Sequence, residues 1–202
     1  MRLLVVDECC FTRLGITSHF TDSVFASVTC SQNIDATLPF LASLKPNHIL
    51  VNLTSYCRHA ENAPLLETFI GATRCSMLHI YLETPYPYSE KPMRIADNAL
   101  MFSKTILPSV LHTLREKPVS PFGYRHEYSL FSPQELAVIK YWMSEMPNYR
   151  IAKKLQISDH TVYVHKRHIT EKTHTRNRLE FYSLYNVLRY FYPPATGNLL
   201  AI

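Results

Sequence analysis

The sequence predicts an α/β, doubly wound, parallel five-stranded domain followed by an all-α, four-helix domain. Three observations carry this. Over residues 1–115, short apolar runs alternate with helical patterns. Residues 116–128, EKPVSPFGYRHEY, contain two prolines, a glycine and no apolar period, the composition of a linker. From 129 to 202, every strong signal is helical. The expected division is therefore 1–115, a joint at 116–128, and 129–202.

In the first part, LLVV (3–6), VFASV (24–28), HILVN (48–52), MLHIYL (77–82) and ALMF (99–102) read as strands. Phe11, Leu14 and Ser18 share one face of a first helix. Ile34, Leu38 and Leu41 share a face of a second, which Pro39 is expected to delay or kink. A last helix follows Pro108 and carries Leu107, Leu111 and Leu114. Pro85, Pro87 and Pro92 in ETPYPYSEKP oppose a helix between the fourth and fifth strands.

In the second part, FSPQE opens a helix. Ser132 is the N-cap, Pro133 stands in the first turn, and Glu135 completes a capping box. Leu136, Ile139 and Met143 fall on its inner face. A second helix follows Asn148 with Ile151, Ala152 and Leu155 inward. QIS (156–158) is a tight connection, and Ser158 caps the third helix. A fourth helix is expected from about Arg178 to Phe191.

Composition narrows the function. Hydrophobic residues are 47% and charged residues 18%, a globular balance. No apolar run approaches the roughly 20 residues that cross a bilayer. The MRLLVVDECC start is too short in apolar residues for a signal peptide, so a cytoplasmic protein without membrane partners is expected. Five cysteines with no CxxC spacing read as reduced thiols. The net charge of +5 is unevenly placed: residues 1–115 hold nine Lys+Arg and nine Asp+Glu, residues 116–202 twelve and seven. That asymmetry points to an anionic partner for the second part. Four glycines and no glycine-rich phosphate loop speak against a metabolic enzyme. His160, His165, His168 and His174 lack a carboxylate or thiolate on their face, so neither metal nor cofactor is expected.

ISDHTVYVHKRHITEK (157–172), wound at about 100° per residue, puts Val162 and Ile169 on one seam with His165 beside them. Tyr163, Val164, Arg167 and Thr170 point away, and Lys166 and Lys172 flank the seam. A short helix, a three-residue turn and a helix with a cationic outer face make helix-turn-helix geometry, which suits the major groove of double-stranded DNA. A solvated helix with no such role is the plainer alternative.

These segments resemble known families. FSPQELAVIKYWM and YRIAKKLQISDHTVYVHKRHITEKTHTRNR resemble the LuxR/FixJ-type (NarL-like) helix-turn-helix over about 60 residues, through Ser132, Glu135, Ile151, Ala152, Leu155, Ser158, Thr161, Val162, His165, Ile169, Lys172 and Arg178. The resemblance implies that Tyr163, Val164 and Arg167 meet bases. It sets Thr161, Lys166 and Lys172 nearer the DNA backbone, with Thr170 and Arg178 in the same surface. Two departures stand out: SEMPN lacks the usual glycine, and Tyr163 replaces the usual lysine. The resemblance also implies that the final helix, LEFYSLYNVLRYFY, supports dimerisation, through Phe181, Leu184, Tyr185 and Leu188. Cover by the first domain is the alternative.

VVDECCFTRLGI, HILVNLTSY and LMFSKTILPSVL resemble a response-regulator receiver. The resemblance makes Asp7 and Glu8 the acidic pair, Lys104 the receiver lysine, and Asn52 the replacement for the phosphate-accepting aspartate. An amide oxygen is a poor nucleophile, so no aspartyl phosphate forms there. Lys104 is expected to pair with Asp7, and Thr84 to serve as the hydroxyl partner. The whole chain is similar to RcsA-type auxiliary regulators of the Rcs phosphorelay, with the BglJ type as a neighbour. This implies a homodimer, or a heterodimer with an RcsB-like regulator, on DNA without phosphate control. Partner sequestration and a non-standard phosphate acceptor are the alternatives.

Overall fold

The computed structural model describes residues 1–23, 26–58, 63–116 and 128–192. The strands are β1 (Arg2–Val6), β2 (Ser27–Ser31), β3 (His48–Asn52), β4 (Met77–Leu82), β5 (Met93–Ala96) and β6 (Ala99–Ser103). They form one sheet in the order β2-β1-β3-β4-β6-β5. Five strands are parallel, as expected. The sixth, β5, pairs antiparallel with β6 at the edge, so the sheet is six-stranded and mixed rather than five-stranded and parallel. β5 escapes sequence detection because it has four residues directly after Pro92, too few to show a period. It occupies the stretch between β4 and β6 that the prolines deny to a helix.

The helices of this layer are α1 (Cys10–Phe20), α2 (Ile34–Leu44), α3 (Thr54–Arg58), α4 (Ala63–Ala72) and α5 (Leu107–Glu116), with a 3-10 turn at Lys104–Ile106. Successive β1 side chains feed two cores. Leu3 and Val5 join Ile16, Phe20, Val110 and Leu114 under α1 and α5; Leu4 and Val6 join Ile34, Leu41, Leu66 and Phe69 under α2 and α4. A sheet buried on both faces is the doubly wound arrangement. Pro39 neither delays nor interrupts α2, which begins at Ile34 with Asn33 as its cap. Pro39 is exposed, so the bond it removes lies on the wet side of the helix.

The second layer is all helical: α6 (Pro133–Met143), α7 (Asn148–Leu155), α8 (Asp159–Lys172) and α9 (Arg178–Leu188). The Ser132–Glu135 capping box forms with both bonds present. Ile139 is buried as expected, while Leu136 and Met143 are half-buried beside the deeper Val138 and Trp142. Trp142 stacks on Phe181 of α9, centroids 5.3 Å apart and planes 8° from parallel. The α2/α4 core continues without a break into this layer, because α9 packs on α3. The proposed joint, 116–128, lies almost wholly outside the described residues.

Candidate nucleic-acid interface

α7 ends at Gln156, whose left-handed backbone (φ 54°) turns the chain and returns its N–H to the Ala152 carbonyl. Ser158 then caps α8, accepting from the Thr161 N–H at 3.0 Å. Val162 and Ile169 are fully buried and fix the inner side of α8. Tyr163 on the outer side is 60% exposed, and the Arg167 side chain 68%. His160 and Glu171 extend the same row, four residues before Val164 and four after Arg167. Arg167 Nε donates to Glu171 Oε1 at 2.7 Å. Val164, Thr161 and Thr170 are half-buried at its margins. His160 was weighed from the sequence only as a metal ligand and Glu171 not at all, although the helical period alone would have placed both on this row.

Three expected DNA-facing cations are engaged inside the molecule. Lys166 Nζ donates to Asn148 Oδ1 at 2.6 Å and lies 5.2 Å from the centre of the Trp142 ring. Burial, then the nearby Arg178 charge, lowers its pKa. Lys172 pairs with the buried Glu135 at 2.7 Å. Burial raises the Glu135 pKa, but hydrogen bonds from Lys172 and Ser132 outweigh it and hold the carboxyl below its usual range. Arg178 pairs with Glu145 at 3.0 Å. Of the three, Lys166 departs most from expectation: its ammonium lies over the Trp142 ring. Further exposed cations stand on α7, Lys153 and Lys154 in its last turn and Arg150 in its first, with Tyr149 57% exposed beside them. The run YRIAKKL carried that signal in the sequence.

The expected dimer contact through Phe181, Leu184, Tyr185 and Leu188 is not available, although Leu179 and Tyr182 on the same helix are exposed. Phe181, Leu184 and Leu188 are fully buried and Tyr185 half-buried, because Trp142, Phe131 and α3 cover them. The cover comes partly from the first domain, through α3, and partly from the second domain itself, through Trp142 and Phe131. The reverse holds at α1. There Ile16 and Phe20 face the core, and the apolar pair Phe11 and Leu14 stands 80% and 64% exposed.

At the carboxyl end of the sheet, the altered receiver site is closed on itself. Asp7 is buried and accepts from the Tyr81 hydroxyl, the Cys9 N–H (2.7 Å) and Asn52 Nδ2 (3.4 Å). Burial, then the Asp7 carboxylate, raises the Tyr81 pKa. Glu8 is exposed on the rim. Lys104 does not pair with Asp7; its ammonium meets Glu83 at 2.6 Å and the Thr12 hydroxyl at 3.0 Å. Thr84 donates its hydroxyl to the Tyr86 carbonyl (2.6 Å), and the hydroxyl beside Asn52 is that of Thr54. Glu83 and Thr54 were invisible as site residues in the sequence, since both lie just past strand ends. A cavity of about 170 Å³ opens beside Asp7, Asn33, Asn52, Tyr56 and Arg58. Among the described residues, no three His, Cys, Asp or Glu side chains are grouped to hold a metal.

A family model described as the N-terminal dimerisation domain of transcriptional regulator RcsA matches residues 2–122. The chain belongs to the RcsA family. A second model, of bacterial regulatory proteins of the luxR family, matches residues 129–185. The RcsA family is one of transcriptional regulators rather than enzymes, and this member is a DNA-binding transcription regulator. It is 28% identical over 189 residues to transcriptional regulatory protein EntR of Citrobacter freundii, covering 88% of this chain and 94% of EntR. It is 24% identical over 193 residues to RcsA of Pantoea stewartii subsp. stewartii, covering 90% and 92%. Among solved structures it is similar in fold to the response regulator RcsB in complex with DNA, with a TM-score of 0.50, 17% identity, and 95% and 98% of the two chains covered. Among the described residues no helix is long and apolar enough to cross a membrane.

Proposed function

We propose that this RcsA-family regulator acts without phosphorylation, in the cytoplasm, with α8 in the major groove of its operator. The observation that carries the reading is the division of α8. Its inner seam is fully buried, while Tyr163 and Arg167 project into solvent one turn apart. A helix held on one side and free on the other can enter a groove without unfolding anything. Tyr163, Val164 and Arg167 meet base edges; Thr161 and Thr170 border them; Lys153, Lys154 and Arg150 reach phosphates. Lys172 and Arg178 stand at the edge, already paired. Gel shifts on the operator test this. Arg167→Ala and Tyr163→Ala should each lower specific affinity by about 1–3 kcal/mol, the worth of a good base contact. Unchanged sequence preference in both variants would remove the reading face.

Control then falls to pairing. Asn52 supplies no carboxylate to phosphorylate, and the division at 116–128 gives each domain its own task. The matching family model is that of a dimerisation domain, and among the described residues of 1–116 Phe11 and Leu14 on α1 form an exposed apolar pair. We place the pairing surface there, with a receiver-fold domain of an RcsB-like regulator as its partner and DNA as the shared ligand. Light scattering after size exclusion checks it: Phe11→Lys with Leu14→Lys should abolish the heterodimer and leave the melting temperature unchanged. A heterodimer that survives both charges refutes the α1 surface. A complex that forms but adds no DNA affinity would favour sequestration.

A further inference from the structure

Both walls of the altered receiver site carry the contacts that dock the DNA-binding domain. One wall is α3, directly after Asn52. Asn186 of α9 donates its amide to the Cys57 carbonyl at 2.8 Å, and both residues are buried. Burial pushes the Cys57 thiol up to about 12, so it stays neutral. The other wall is the loop after β4. There the Tyr88 N–H donates to the His174 carbonyl at 2.8 Å, its hydroxyl donates to Glu180 at 3.2 Å, and the Arg176 guanidinium lies 4.0 Å from its ring centre.

The Asn52 side chain ties these walls together. Oδ1 accepts from the Thr54 hydroxyl (2.6 Å) and N–H (3.1 Å) at the first turn of α3. Nδ2 donates to Glu83 (3.3 Å), where the loop begins, and to Asp7 (3.4 Å). Thr54 Oγ1 closes the ring by accepting from the Glu83 N–H at 2.7 Å. The amide orientation follows from chemistry: its oxygen meets donors and its nitrogen meets carboxylates. An aspartate has no N–H to give, and would stand as a third carboxylate beside Asp7 and Glu83.

We propose that Asn52 is a positioning residue for the DNA-binding domain: a permanent staple that holds α3 and the 83–92 loop in the one arrangement that docks α9. This goes beyond the loss of phosphorylation. Asn52 holds both walls in place through its amide.

Hydrogen–deuterium exchange on the full chain tests it. Asn52→Asp should raise exchange in α3 and α9 about five- to tenfold, the size expected for one net hydrogen bond, and leave β1 and β3 unchanged. Millimolar Mg²⁺ should reverse the rise, because a divalent cation satisfies clustered carboxylates, but should not reverse the rise in Asn186→Ala. Thr54→Val cuts the same tie without adding charge and should reproduce the α9 pattern, insensitive to Mg²⁺. The double variant Asn52→Asp with Asn186→Ala should show no further increase in α9 over Asn186→Ala. Wild-type exchange in α9 for both Asn52→Asp and Thr54→Val overturns the proposal. So does a rise spread evenly through β1 and β3, which would mark plain destabilisation.

Discussion

The carboxyl end of the sheet and the outer side of α8 are both rich in charged side chains, and they treat them in opposite ways. At the sheet, Asp7, Glu83, Lys104, Tyr81 and Asn52 each find a partner within the molecule. On α8, Tyr163 and Arg167 stand in solvent, and the one ion pair there, Arg167 with Glu171, is exposed on both sides. A network anchored on buried Asp7 and Tyr81, with every member satisfied, holds one geometry. An exposed pair is worth little to stability and is readily exchanged for another partner. The contrast assigns the sheet end to holding and α8 to binding.

The strongest way to stress the closed half is acid. His48 and His79 sit in neighbouring strands with Nδ1 and Nε2 3.1 Å apart, both buried. Burial holds His48 down to about 4; burial, then the neighbouring His48 charge, holds His79 down to about 3. An unfolded histidine titrates near 6.5. Below that pH, down to about 4, the unfolded chain takes up protons that the folded chain refuses. Stability is therefore complete above pH 6.5 and falls as pH drops through this window, by something on the order of a few kcal/mol. Urea unfolding at stepped pH reads it out, and His79→Leu should flatten the slope. A wild-type chain equally stable at pH 7.5 and pH 5 would show that the pair is not held neutral.

A smaller effect separates holding from binding directly. Tyr81→Phe removes the hydroxyl donor from buried Asp7 and should cost about 1.5–3 kcal/mol, the range for a hydrogen bond to a charged group. Operator affinity of the folded fraction should stay as it was. A loss of affinity at full folding would mean that the sheet end also shapes the reading surface, and the division drawn above would blur.

Much of this contrast was legible in the sequence, and the illegible part has a common cause. The Ser132-Pro133-Glu135 start and the buried Val162–Ile169 seam follow from local chemistry and period, and both are observed. Asn52 at the end of β3 was readable from its strand. Period, however, says which residues share a face and not what that face meets. Phe11 and Leu14 share a face that points outward, while Phe181, Leu184 and Leu188 share one that α3, Trp142 and Phe131 cover. Lys166 reads as a flanking cation until Trp142 and Asn148 are seen beneath it. Glu83 and Thr54 enter the site because parallel strands end in register, with Asn52 opposite Tyr81, and strand pairing is a long-range fact.

The finest distinction lies within the open half, between cations that are spoken for and cations that are free to meet phosphate. Lys172 and Arg178 already hold Glu135 and Glu145. Lys153 and Lys154 are exposed at the end of α7, the helix that crosses the backbone in this kind of docking. Each lysine on a phosphate releases counterions, so log K should fall with log salt concentration at a slope of about −0.9 per contact. Lys153→Ala and Lys154→Ala should each weaken binding evenly across operator and unrelated DNA and reduce the slope by about 1. Lys172→Ala should instead lower stability, by stranding buried Glu135, and change the slope little. If Lys172→Ala moves the slope and the α7 lysines do not, the phosphate track runs along α8, and Lys172 trades Glu135 for DNA on binding.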